Sequence, residues 1–97
     1  MTDADILKIL QSDLNFLMVD ESLKAQLIHY IDTAKSLIQR EGVTLVAPFS
    51  AEDGELIEMY AAYLFRKRAT GEAMPRMLRW ALNNRLFSEK AGGIDGT

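Results

Sequence analysis

The chain has no cysteine, one histidine and two prolines among its 97 residues. Without cysteine there can be no disulfide, no thiolate metal ligand and no thiol nucleophile. With His29 alone, a multi-histidine metal site is excluded and a Ser-His-Asp triad has a single candidate base. No apolar run approaches the roughly 18 residues that span a bilayer. The opening residues Met1-Thr2-Asp3-Ala4-Asp5 are acidic and have no signal-peptide n-region. The six glycines fall at expected helix ends and near the C-terminus, so no glycine-rich phosphate loop exists. Internal repeats and low-complexity tracts are missing as well. These absences lead us to expect a soluble, intracellular protein that is not an enzyme and holds no cofactor or metal.

What is present is an ordinary globular balance, 48% hydrophobic and 26% charged. The length suits one domain with one modest core. The net charge of −3 hides a division. Residues 1–63 carry 4 basic against 11 acidic side chains, a balance of −7, and residues 64–97 carry 7 against 3, a balance of +4. Opposite-signed halves can pair with copies of the same chain, head to tail, or hold an anion at the basic end. They can equally be solvated helix faces.

Every strong local signal is helical. Thr2 and Asp5 form a capping-box pattern, after which Ile6, Leu7, Leu10 and Leu14 make one stripe. Asn15-Phe16-Leu17-Met18-Val19 breaks the period and reads as a connection without a polar turn. Asp20 caps a second helix, lined by Leu23, Leu27, Tyr30, Ile31, Ala34 and Ile38, which stops at Gly42. Val43–Phe49 is β-prone, but one short run cannot build a sheet, so it reads as an extended loop. Ser50-Ala51-Glu52-Asp53 is a second capping box. The helix it opens, from Leu56 to Phe65, has Glu58 as its only charge and should be enclosed on several sides. Pro75 suits the first position of a fourth helix, with Met77, Leu78, Ala81, Leu82 and Leu86 as its buried stripe. The expected fold is all-α: a small bundle of four main helices near residues 3–13, 21–41, 51–70 and 75–89, with a central apolar third helix. Residues 1–90 would form this single domain, and 91–97 a flexible C-terminal tail.

Candidate chemistry is sparse. His29 has Gln26 and Asp32 three residues to either side but no evident third ligand, and reads best as a surface histidine. Glu52, Asp53, Glu55 and Glu58 crowd the first two turns of a helix, where the macrodipole already favours acids. The basic stretch exceeds background. Arg66, Lys67, Arg68, Arg76, Arg79 and Arg85 lie within twenty residues, with Trp80 and Asn83-Asn84 interleaved. Arginine is favoured where a planar fork meets carboxylate or phosphate. A helix C-terminus accounts for part of the Arg66–Arg68 signal, and Arg66, Lys67 and Arg68 stay with Arg76, Arg79, Asn83 and Arg85 as candidates for a subunit or DNA-channel interface. That C-terminus does not account for Arg76 and Arg79, which sit with Asn83 on one polar face at the unfavourable end of the fourth helix. Something negative should face them: the acidic half of a neighbouring copy, or DNA phosphate.

Two segments, Met59-Tyr60-Ala61-Ala62-Tyr63-Leu64-Phe65-Arg66-Lys67-Arg68 and Met74-Pro75-Arg76-Met77-Leu78-Arg79-Trp80-Ala81-Leu82-Asn83-Asn84-Arg85-Leu86-Phe87, resemble the small head–tail connector (head-completion or adaptor) proteins of long-tailed phages and prophages. The likeness extends in pattern to the Ile6-Leu7-Lys8 helix and the Leu27 to Ala34 segment. It departs in having a short C-terminal tail. The resemblance implies an all-helical structural subunit of the virion, assembled in the bacterial cytoplasm and placed at the capsid–tail junction. Its partners would be copies of itself in a ring of about twelve, the portal protein, and the next connector or tail-completion protein. Contact with phage DNA in the channel would be transient, and no membrane is involved. On this reading Arg76, Arg79 and Arg85 are expected to meet Glu52, Glu55 or Glu58 of the adjacent copy. The Val43–Phe49 loop and the Phe16–Val19 connection are expected to touch neighbours or to act as lids over the core. The alternative is a small helical nucleic-acid-binding module that reads with its basic fourth helix. A net charge of −3 and a pI near 5.0 weigh against it.

Overall fold

The computed structural model describes the backbone of residues 1–95 and the side chains of residues 1–91. Four helices follow one another: α1 Asp3–Asp13, α2 Glu21–Arg40, α3 Ala51–Thr70 and α4 Arg76–Asp95. There is no strand among the described residues. The β-prone Val43–Phe49 run stays a loop: Val43 and Phe49 turn into the core at its two ends, with a cis Ala47–Pro48 bond between them.

Helix starts follow from local hydrogen bonding. Thr2 Oγ1 accepts from the Asp5 N–H and Asp5 Oδ2 accepts from the Thr2 N–H at 2.9 Å, closing the capping box. The same bonds hold the Asp5 carboxyl below the usual carboxylate range. Asp20 accepts from the Leu23 N–H at 2.7 Å, and Ser50 from the Asp53 N–H at 3.1 Å. The Ser50 box is only half made, because the Asp53 carboxylate turns towards α4. Helix ends use left-handed residues. Gly71, at φ 68°, closes α3 with its N–H on the Lys67 carbonyl. Asn15, at φ 62°, turns the chain after α1, and this is the polar turn that the sequence reading did not identify. α4 starts at Arg76, one residue later than expected, with the Pro75 carbonyl accepting from the Arg79 N–H. It continues to Asp95 instead of ending near residue 89. The segment read as a patternless tail is therefore helical as far as Asp95, and residues 96 and 97 lie outside the described ones.

α3 is the hub. Leu56, Ile57, Tyr60, Ala61, Ala62 and Tyr63 are buried along it. It packs chiefly on α2, then on α1, with α4 laid against it from another side. α2 contributes Leu27, Ile31, Ala34 and Ile38, α1 contributes Ile6 and Leu10, and α4 contributes Leu78 and Leu82. The α2 and α1 stripes read from the sequence are the ones that face inward. Leu64, expected in the core of α3, is only partly buried. Phe16 and Tyr30 meet Phe65 edge to face, with ring centres 5.7 and 5.9 Å away. The chain start is tied down too. Met1 and Phe49 exchange backbone hydrogen bonds in both directions, and the Met1 thioether rests on Gly54, where a Cβ would collide with it. The Cα radius of gyration, 13.9 Å, exceeds the value of about 12.5 Å for a compact chain of this length.

Two measurements check this packing. Tyr60→Asp should abolish the cooperative unfolding transition seen by circular dichroism, since it places an unpaired charge in the core. Leu64→Asp, half-buried, should leave a shifted transition. Leu82→Ala should cost about 2–5 kcal/mol. It should raise amide exchange in α4 first, because that helix depends mainly on α3 for cover.

Candidate functional site

The basic stretch divides by element. At the end of α3, Arg66 lies 3.7 Å from the Asp13 carboxylate and also donates to the Asp13 carbonyl. Lys67 sits over the Tyr63 ring. Arg68 donates to Gln26 Oε1 at 2.9 Å and lies over Phe65. All three are exposed and engaged with their own chain.

On α4 the expected arrangement changes. Arg79 donates both terminal nitrogens to Glu41, at 2.8 and 3.2 Å, with Asn83 at the edge of the same contact. Arg85 is held more firmly. Its Nε donates to Asp53 Oδ1 at 2.6 Å, Nη1 to Glu89 at 2.8 Å and Nη2 to the Thr44 carbonyl at 3.1 Å. These bonds raise the pKa of both guanidinium groups further. Two of the three arginines expected to meet acids of an adjacent copy thus find acids within one chain. The reason is topological: the loop after α2 runs beside α4, bringing Glu41 and Thr44 there, while the first turn of α3 brings Asp53. Arg76 is different. It is exposed, with no hydrogen bond or ion pair among the described residues.

The three acids also separate. Glu52 and Glu55 are exposed, whereas Glu58 is 5% exposed and its Oε1 has no hydrogen-bond partner among the described residues. Burial lifts the Glu58 carboxyl to about 8, reinforced by Asp13, with Arg66 opposing. Helix position alone gave no hint of this. A macrodipole explanation predicts an exposed acid, and the cover comes from α1, 45 residues earlier in sequence. Glu58 lines a groove between α1 and α3 with Ile9, Ser12, Asp13, Glu55 and Met59.

The surface feature that sequence reading missed is apolar. Met77, assigned to the buried stripe, is 70% exposed, and Trp80 and Phe87 are 63% and 76% exposed. At about 100° per residue, Met77, Trp80, Asn84 and Phe87 share one face of α4, roughly half a turn from Leu78 and Leu82. The 3-4-3 spacing of these four positions was the available signal. It was obscured because α4 carries apolar residues on two faces. The two loop segments are each split. Leu17 is fully exposed, Met18 nearly so and Val46 largely so, while Phe16, Val19 and Leu45 pack partly on the core. His29 is exposed on α2, with its ring against Tyr30. No group of three or more His, Asp or Glu placed to hold a metal occurs among the described residues, nor is any helix there long and apolar enough to cross a membrane.

Comparison with protein-family models, with curated proteins and with solved structures finds no match to this chain.

The two α4 ion pairs should behave differently. Arg85→Ala leaves the nearly enclosed Asp53 without its partner and should cost roughly 3–5 kcal/mol. Arg79→Ala breaks a largely exposed pair and should change stability by about 1 kcal/mol or less in denaturant titrations. Glu58 makes a pH signature. Its folded pKa lies above the unfolded value, so the native state binds the extra proton. The stability it lends is present at low pH and is lost as pH rises from about 4.5 towards 8. Glu58→Gln, which stays neutral, should flatten the fall in melting temperature across that range, and an unchanged slope would refute the assignment.

Proposed function

We propose that this protein is a structural assembly subunit of the phage head–tail junction. Copies of it form a ring below the portal, lengthen the DNA channel and offer the next connector or the tail an attachment surface. The observation that carries an assembly role is α4. Its inner face is committed to α3 through Leu78 and Leu82, while its outer face displays Met77, Trp80 and Phe87 to solvent. Trp, Met and Phe are the residue types enriched at the buried centres of interfaces. A row of them on one helix asks for a partner. The charge division supports contacts between unlike patches, the kind that rotation closes into a ring. The placement of that ring at a phage portal rests on the resemblance of residues 59–68 and 74–87 to connector proteins.

The reading assigns the chain no turnover chemistry, no cofactor and no membrane contact. Its place is in the virion, reached from the cytoplasm of the bacterial host. A nucleic-acid reader built on α4 draws less support, because Arg79 and Arg85 are held by Glu41, Asp53 and Glu89. DNA sliding through a channel needs sparse contacts, and this arrangement leaves few arginines for it.

Electron microscopy of the protein mixed with the portal of its own phage tests the proposal. A ring of added density beneath the portal is the expected result. Bare portals, with the chain sedimenting as a monomer at every concentration, would refute it.

A further inference from the structure

Three helices surround α3 and leave a groove along it. Ile9, Ser12 and Asp13 of α1 form one wall, and Glu55, Glu58 and Met59 form the floor at that end. Further along, the floor continues through Ala62, Tyr63 and Arg66, and the start of α4 supplies the opposite wall with Pro75, Met77 and Leu78. The Asp13 and Glu55 carboxylates and the protonated Glu58 carboxyl face this groove, and Arg66 is the only cation lining it among the described residues. Arg66 is drawn towards Asp13. The Glu58 oxygen at the bottom is left with no donor. A buried carboxyl oxygen without a donor is costly, and a guanidinium N–H arriving from outside would supply one. The rim is apolar, with Ile9 exposed and Met59 partly so.

The complement lies elsewhere on the same molecule. Arg76 stands exposed in the first turn of α4, where the macrodipole disfavours a cation. Beside it begins the Met77-Trp80-Phe87 face. One surface therefore joins an unpaired acid to an apolar rim, and the other joins an unpaired cation to an apolar stripe. Within one chain Arg76 forms no ion pair with these acids among the described residues. Leu78 and Leu82 fix the inner face of α4 on α3, which turns Trp80 and Phe87 the other way. The second apolar groove, between α1 and α2, sets Lys8 and Lys24 against Asp3 and Glu21 and gives a cation no preference.

We infer that the outward face of α4 in one copy docks on the α1/α3 groove of the next, with Arg76 pairing with the Glu55 carboxylate and donating to the unpartnered Glu58 oxygen, and Trp80 covering the apolar rim. The inference deepens the ring reading above and rests on it for the closure of the contact into a ring. The two patches differ, so the contact is head-to-tail and each copy keeps one of each patch for a further neighbour.

Because the chain has no cysteine, an introduced pair reports this contact cleanly. Chains carrying Ser12→Cys, on the groove wall, would be mixed with tagged chains carrying Asn84→Cys, on the α4 stripe, and treated with a flexible bis-maleimide. The expected result is a mixed dimer, formed several-fold more than when His29→Cys, on exposed α2, replaces Ser12→Cys. Adding Arg76→Glu to the Asn84→Cys chain should lower the yield several-fold, and Glu55→Arg in the Ser12→Cys chain should recover it. All these positions are exposed, so circular dichroism should show every variant folded. A mixed yield equal to the His29→Cys control, or one indifferent to Arg76→Glu, overturns the inference. If light scattering shows particles without that cross-link, copies meet through other surfaces and the ring reading survives. If the cross-link forms but no ring appears on the portal, this contact stands and the ring reading falls.

Discussion

A nearly uncharged helix in water has to be covered, and α3 organises this protein through that requirement. From Leu56 to Phe65 it offers apolar side chains around most of its circumference, more than one neighbour can bury. α2 and α1 take two sides and α4 takes a third. α1 and α2 are amphipathic because each needs only one buried stripe. α2 shows it most clearly, with Leu27, Ile31, Ala34 and Ile38 inward. Among the described residues no further helix covers the remaining groove.

Glu58 follows from the same constraint. Placed on a helix that is buried nearly all round, a carboxyl two turns in has little route to water. It keeps its proton to about pH 8 in place of finding a donor. α4 is the converse. It is attached mainly through α3 and has only a narrow inner contact, so apolar residues on its other side remain in solvent. Both features, the shielded acid and the bared stripe, arise because three helices cannot enclose a fourth and each other at once.

Arginine placement has a similar origin. A cation at the N-terminal end of a helix is unfavourable unless an acid compensates it. Arg79, in the first turn of α4, receives one from Glu41 at the end of α2, while Arg85, in the middle of that helix, is bound by Asp53 from the first turn of α3. These bridges stitch α4 to the rest of the bundle where its apolar contact is thin. Arg76, one turn earlier, has no such acid among the described residues and stays exposed.

The sequence by itself determined the four helices, their caps at Thr2, Asp20 and Ser50, the Gly71 stop and the inward stripes of α1 and α2. These depend on residues within four positions of each other, where periodicity and cap chemistry act. Reading failed first where a local signal was ambiguous. Asn15 supplied a left-handed turn that a run of apolar neighbours concealed, and α4 had two apolar faces, so Met77 was placed on the wrong one. Only tertiary structure decided which face of α4 meets α3, that Asp53 leaves its own helix cap to bind Arg85, and that Glu58 is shielded by α1. The last two join side chains 32 and 45 residues apart in sequence, and the first joins two different helices. Hydrophobic period says that a residue is apolar or charged on a given face. Which faces actually meet is settled by the packing of all the helices together.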